Sequence, residues 1–188
     1  GRGVGRGRSL GRERLRRRAG ARGAARPMAD RVGAGIEGLG GGGWRVGVAE
    51  SLTGGGRISE LVSVPGASSV VVGGVVAYAT PVKHSLLGVD GALLDREGPV
   101  HPEVARQMAQ GVRHAVRVDA VDASVGVSTT GIAGPLSPDG QPVGTVHIAV
   151  ATPERLEARS FLFPGDRAQI RSATVRAALE MLRELSRE

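Results

Sequence analysis

Residues 69–77 read Ser-Val-Val-Val-Gly-Gly-Val-Val-Ala, an unbroken apolar run rich in β-branched side chains. Its length suits a strand better than a helix, and the lack of polar alternation predicts a strand buried on both faces. A strand of that kind, set among others that alternate with helical segments, places the chain in the layered α/β class.

The remaining pattern supplies the other parts. Trp44–Glu50 alternates like a strand running into a core, and Ala120–Ser128 reads as another. Residues 144–151 and 156–163 read as two more, joined around Thr152-Pro153-Glu154. That joint is too short for a crossover, so the sheet is expected to be mixed. A weak helical pattern over 29–39 (Val32, Ile36, Leu39) is loosened by three glycines. Ile58, Leu61 and Val62 share one face of a second helix, ended by Pro65-Gly66. Pro81 suits the start of a short helix through Leu87. Val104, Met108, Val112 and Val116 form the buried stripe of a helix over 102–117. Thr129–Val143, rich in Gly and Pro, reads as a loop, and Asp166 can cap a final helix with a stripe of Ile170, Thr174, Ala177, Met181 and Leu185.

With 188 residues the chain has room for one domain and one core, and with aromatics at 2% that core must be Val, Leu, Ile and Ala. There is no Cys, which excludes disulfides, thiolate metal sites and cysteine nucleophiles. The four His residues show no metal-ligand spacing, and no metal or other cofactor is expected. No apolar run is long enough to span a membrane, so no membrane partner is expected and a cytoplasmic location is the default. The net charge of +7 is unevenly spread: residues 1–27 hold ten Arg and one Glu, a net +9, which leaves −2 for residues 28–188. An Arg/Gly-rich segment with almost no apolar content is expected to be disordered, and nucleic acid is expected at most as a non-specific partner of residues 1–27. Met28 begins the first ordinary-looking sequence and is a candidate start, so 1–27 reads as an extension and 28–188 as the single domain.

Four groups of residues could carry chemistry. Lys83 is the only lysine among 25 basic side chains, and unlike Arg it can lose its proton when a site depresses its pKa. It follows the only tyrosine, Tyr78, by five residues; the competing reading is a wet Tyr at a strand end and a solvated Lys. Glu50-Ser-Leu-Thr-Gly-Gly-Gly56 lies where open α/β sheets bind ligands, with Ser51 a potential nucleophile and the Thr53, Gly54 and Gly55 backbone able to approach an oxyanion. The competing reading is an N-cap, Ser51 or Thr53, followed by a flexible turn. Ser128–Pro135, including Thr130 and Gly131, suits a phosphate or a polarised carbonyl, or is a Gly-Pro turn. Arg167 and Arg171 suit phosphate or carboxylate, or are a solvated helix face.

Taken in order, Ala49-Glu-Ser-Leu-Thr-Gly-Gly55, Gly73-Gly-Val-Val-Ala-Tyr78, Lys83, Leu86-Leu-Gly88, Gly131-Ile-Ala-Gly-Pro135, Pro142-Val-Gly-Thr145 and Phe163-Pro-Gly-Asp-Arg167 resemble the CinA C-terminal domain family, the PncC-type nicotinamide-nucleotide amidases. The resemblance covers about residues 30–187 and is to the stand-alone form. It implies a three-layer α/β/α sandwich with a mixed sheet. It also implies hydrolysis of nicotinamide mononucleotide to nicotinate mononucleotide and ammonia, as in pyridine nucleotide salvage, without a metal. By the same resemblance Ser51 is the nucleophile, Lys83 its base and Tyr78 the catalytic tyrosine. The resemblance also implies that Thr130 and Arg167 bind substrate, with Arg171 a possible second arginine, and the backbone of Thr53, Gly54, Gly55 and Gly131 is expected to bind it beside them. Leu136 stands where the family usually has Asp, and His101 and Pro81 replace commoner residues at helix starts. The alternative is a nucleotide-binding module of the same family without turnover. A homodimer is a further expectation.

Overall fold

The computed structural model describes residues 28–187; the expectations for residues 1–27 lie outside them. Among the described residues six α-helices and five strands follow one another as α1 (Met28–Gly41), β1 (Val46–Glu50), α2 (Gly56–Val62), β2 (Val71–Val76), α3 (Thr80–Leu87), α4 (Gly91–Glu97), α5 (Pro102–Ala115), β3 (Val125–Gly131), β4 (Thr145–Ala151), β5 (Leu156–Leu162) and α6 (Arg167–Leu185), with a short 3-10 turn at Ala67–Ser69 before β2. The strands form one sheet in the order β2-β1-β3-β4-β5. β1 pairs parallel with both β2 and β3, whereas β4 runs antiparallel to β3 and to β5. The sheet is therefore mixed, and the tight β4–β5 joint is the reason.

Strand alternation divides the core into two layers. Val46 and Val48 of β1, Val125 and Val127 of β3, and Val146, Ile148 and Val150 of β4 face α1, α2 and α6. On the other face Ala49, Leu87 of α3, Leu93 and Leu94 of α4, and Val104, Met108 and Val112 of α5 pack together. The result is a three-layer α/β/α sandwich. Among the described residues no helix is long and apolar enough to cross a membrane.

Helix α5 lies very close to the sheet because the strand below it is small. A Cβ placed on Gly126 of β3 would sit 1.9 Å from the Ala109 carbonyl oxygen. The backbone of α5 has no room to give there, so Gly126→Ala is expected to lower stability by about 3 kcal/mol, the upper range for overpacking, in urea denaturation.

Several boundaries differ from the sequence pattern. β2 lies at the sheet edge, and its residues are half-buried or exposed rather than buried on both faces. The apolar run reports β-branched character but not which strands flank it. β3 starts at Val125 and continues to Gly131, so Thr129 and Thr130 are wholly buried strand residues, not loop. β1 pairs with β3 only as far as Ser128, and β4, opposite Thr129 and Thr130 through Ile148 and His147, holds the rest of the strand. In α2, Arg57 is buried while Val62 is 57% exposed, so the face read as Ile58, Leu61 and Val62 is rotated. α4, capped by the Asp90 side chain, is an element that the pattern did not reveal.

Candidate active site

The loops after β1, β2 and β3 meet the start of α6 at one edge of the sheet. The turn after β1 carries Ser51 and is shaped from below by Glu50, the last strand residue. Glu50 is 1% exposed, and its carboxylate accepts the backbone N–H groups of Gly55 (2.9 Å), Arg57 (3.2 Å) and Ile58 (2.8 Å). A carboxylate at a helix start satisfies N–H groups that have no partner in the helix itself. Gly54 and Gly55 adopt φ of 58° and 93°, left-handed backbone that favours glycine. The turn closes through Gly54 N–H to the Ser51 carbonyl (3.1 Å) and Gly56 N–H to the Thr53 carbonyl (3.0 Å).

Lys83 reaches this turn from α3, in the opposite helical layer from α6. Its amine donates to the Ser51 hydroxyl at 3.0 Å and to the Ala77 carbonyl at 2.6 Å. The side chain is 1% exposed, and burial pulls its pKa down from the ordinary lysine value to about 8. Such an amine is partly neutral near physiological pH, and its lone pair is then within reach of the serine proton.

Tyr78, at the end of β2, is 61% exposed. Its hydroxyl accepts from Arg167 Nη2 at 3.1 Å, and Arg167 Nη1 donates to the Gly134 carbonyl at 2.8 Å. Tyr78 thus meets Arg167 rather than the lysine near it in sequence. Asp166 caps α6 with a full capping box, its carboxylate accepting the Gln169 N–H while Gln169 accepts the Asp166 N–H. This fixes the helix start from which Arg167 projects. Arg171, one turn on, donates from Nε to the Leu52 carbonyl (2.9 Å) and from Nη2 to the Thr53 carbonyl (3.1 Å).

The two threonines of β3 point apart, as adjacent strand residues must. Thr129 shares a hydrogen bond with Thr53, hydroxyl to hydroxyl, at 2.9 Å. Thr130 donates instead to the Pro99 carbonyl at 2.7 Å, and Gly131 pairs with Val146. The sequence reading selected Thr130; Thr129, which touches the Ser51 turn through Thr53, was legible from its parity with Val125 and Val127. Glu50 was also passed over, although a carboxylate ending a buried strand before a glycine turn is itself a signal. Gly54 and Gly55 have committed their N–H groups to Ser51 and Glu50, whereas those of Leu52 and Thr53 have no protein partner among the described residues. His101 caps α5 through Nδ1, which accepts the Glu103 N–H, and Leu136 lies 83% exposed on the loop after β3. Among the described residues, no three or more His, Asp or Glu side chains cluster as metal ligands would.

Comparison with known proteins agrees with this architecture. The CinA C-terminal domain profile matches residues 28–186. A CinA-like protein of Frankia casuarinae is 47% identical over 138 residues, 73% of this chain and 31% of its own length. Another, from an Anaeromyxobacter species, is 48% identical over 144 residues, 75% of this chain and 33% of its own. The chain thus spans about a third of the length of the curated relatives it matches. Among solved structures, the competence/damage inducible protein CihA of Agrobacterium tumefaciens superposes with a TM-score of 0.78 at 34% identity, covering 86% of this chain and 96% of that one. A CinA superfamily protein of Enterobacter cloacae superposes with a TM-score of 0.82 at 25% identity, covering 89% and 97%. The profile match extends from α1 to the end of α6 and takes in every residue of the site just described, so the chain belongs to the CinA C-terminal domain family.

Proposed function

We propose that this protein hydrolyses the carboxamide of nicotinamide mononucleotide, giving nicotinate mononucleotide and ammonia, with Ser51 as nucleophile and Lys83 as base. The observation that carries the reading is the buried Lys83 amine, 3.0 Å from the Ser51 hydroxyl, with its pKa brought down to about 8. A serine hydroxyl is a poor nucleophile at neutral pH without an adjacent base, and Lys83 is the group in contact with it. The neutral amine takes the hydroxyl proton as Ser51 Oγ bonds to the amide carbon, and the C=O electron pair moves onto oxygen. When that pair returns, the C–N bond breaks, and the lysine proton passes to the departing nitrogen to complete ammonia. Water then adds to the ester with Lys83 again as base, and nicotinate leaves as Ser51 regains its proton. In this reading Tyr78 and Arg167, both exposed and bonded to each other, would receive the sugar-phosphate end. The competing reading within the family is a module that binds the nucleotide and does not turn it over.

The test is ammonia release from nicotinamide mononucleotide by the purified chain. Binding by calorimetry with no ammonia would favour the non-catalytic module. The active form of Lys83 is the neutral one, and burial lowers its pKa, so activity must increase as pH rises. The expected profile of kcat/KM climbs through an acid limb with an apparent pKa of about 8, only about a tenth of the enzyme being competent at pH 7. A flat profile from pH 6 to 9 would contradict a lysine base.

A further inference from the structure

The guanidinium of Arg171 is held by protein rather than turned to the open mouth: it grips two consecutive carbonyls of the nucleophile turn, Leu52 at 2.9 Å and Thr53 at 3.1 Å. In a planar trans peptide the C=O of one residue and the N–H of the next point in opposite directions. Drawing the Leu52 carbonyl toward α6 therefore sends the Thr53 N–H away from α6. Lys83 approaches from that opposite side, since α3 packs with α5 on the other face of the sheet. The Thr53 N–H has no protein partner among the described residues. Of the neighbouring donors, Gly54 is engaged with the Ser51 carbonyl and Gly55 with Glu50, whereas the Leu52 N–H shares the lack of a partner but is not oriented by either carbonyl that Arg171 holds. The Thr53 side chain is held as well, by its 2.9 Å hydroxyl contact with Thr129.

We propose that Arg171 is a positioning residue for acyl transfer: by holding the Leu52 and Thr53 carbonyls it turns the Thr53 N–H toward the oxygen that gains charge when Ser51 attacks. The inference rests on the amidase reading above. It sets Arg171 apart from Arg167, which faces the mouth and would meet the substrate phosphate. An ordinary charge contact and a peptide-plane clamp leave different kinetic marks. A phosphate ligand contributes to binding and is felt only by substrates that carry phosphate. A clamp on an oxyanion donor acts on the reacting carbonyl of every substrate and is felt in kcat.

The experiment compares Arg171→Met and Arg167→Met with the wild-type chain on nicotinamide mononucleotide and on its phosphate-free nucleoside, nicotinamide riboside. The rate of Ser51 sulfonylation by phenylmethanesulfonyl fluoride, read by mass spectrometry, is followed in parallel. Arg171→Met is expected to lower kcat by about 10²-fold on both compounds, the lower range for losing an oxyanion donor. KM should stay within about threefold of wild type, and sulfonylation should slow as well. Arg167→Met should instead raise KM for the nucleotide alone. A loss for Arg171→Met confined to KM of the phosphorylated compound would overturn the proposal, as would wild-type kcat and sulfonylation in a folded variant. Should Arg171→Met fail to fold, Arg171→Lys, whose single ammonium cannot span both carbonyls, is judged by the same outcomes. If the wild-type chain releases ammonia from neither compound, the amidase reading falls and sulfonylation alone decides: slowing in the variant supports the clamp, and an unchanged rate refutes it.

Discussion

Lys83→Arg and Lys83→Met are both expected to release ammonia about 10²–10⁴-fold more slowly than the wild-type chain, the usual range for removing a positioned general base. Ser51→Ala should lose at least as much. The arginine variant is the more telling of the two lysine changes. It keeps a cation on α3, but a guanidinium holds its proton much more tightly than an amine, so at neutral pH it cannot take the serine proton. Stability should move separately from activity. Because burial lowers the pKa of Lys83 to about 8, the folded state holds that proton less tightly than the unfolded chain. Below about pH 8 this costs roughly 3 kcal/mol, and the cost fades as pH climbs toward the ordinary lysine value. Lys83→Met removes that cost, although it leaves the Ala77 carbonyl without its donor. At pH 7 the methionine variant is therefore expected to be inactive yet about as stable as wild type in urea melts. A variant that kept its rate would remove Lys83 from the mechanism.

Glu50→Gln is the second large effect, and here stability falls first. Glu50 and Arg57 are buried at 1% and 0% exposure. Burial lowers the Arg57 pKa to about 9, and the Glu50 charge works against that shift. Arg57 donates from Nη2 to the Ala178 carbonyl at 3.1 Å, while its Nε and Nη1 have no hydrogen-bond partner. Removing the glutamate charge leaves a buried cation uncompensated and weakens three hydrogen bonds at the turn. The expected loss is about 3–5 kcal/mol. Adding Arg57→Met should restore much of the stability by removing the stranded charge. It should not restore activity, because the backbone N–H groups at positions 55, 57 and 58 would still face an amide in place of a carboxylate. Urea denaturation and ammonia release on the single and double variants check both statements.

Local chemistry was the legible part of this site. A lone lysine, a serine after a buried strand and a glycine turn are properties of short segments, and their order along the chain carried the family resemblance. Geometry set by distant pairing was not legible. The run at 69–77 announced a strand, but its edge position depends on which neighbours β1 recruits. Thr129 and Thr130 looked like loop because hydroxyls and glycine punctuate the segment; β3 runs through them because β4 goes on pairing with them after β1 has ended its pairing at Ser128. That same extension decides which hydroxyl meets Thr53. The role of Arg171 was hidden for a related reason: its partners are backbone carbonyls more than a hundred residues earlier, and carbonyls leave no trace in a residue pattern. Asp166 was legible because a helix cap is local.

The turn at Ser51 takes its outer supports from α6: Arg171 holds its carbonyls, and Arg57 ties the helix behind it to Ala178. Those contacts join residues 118 to 121 positions apart. During synthesis the serine leaves the ribosome long before the segment that braces it. The nascent chain therefore carries no finished Ser51 turn, and the bracing of that turn arrives only when α6 folds back.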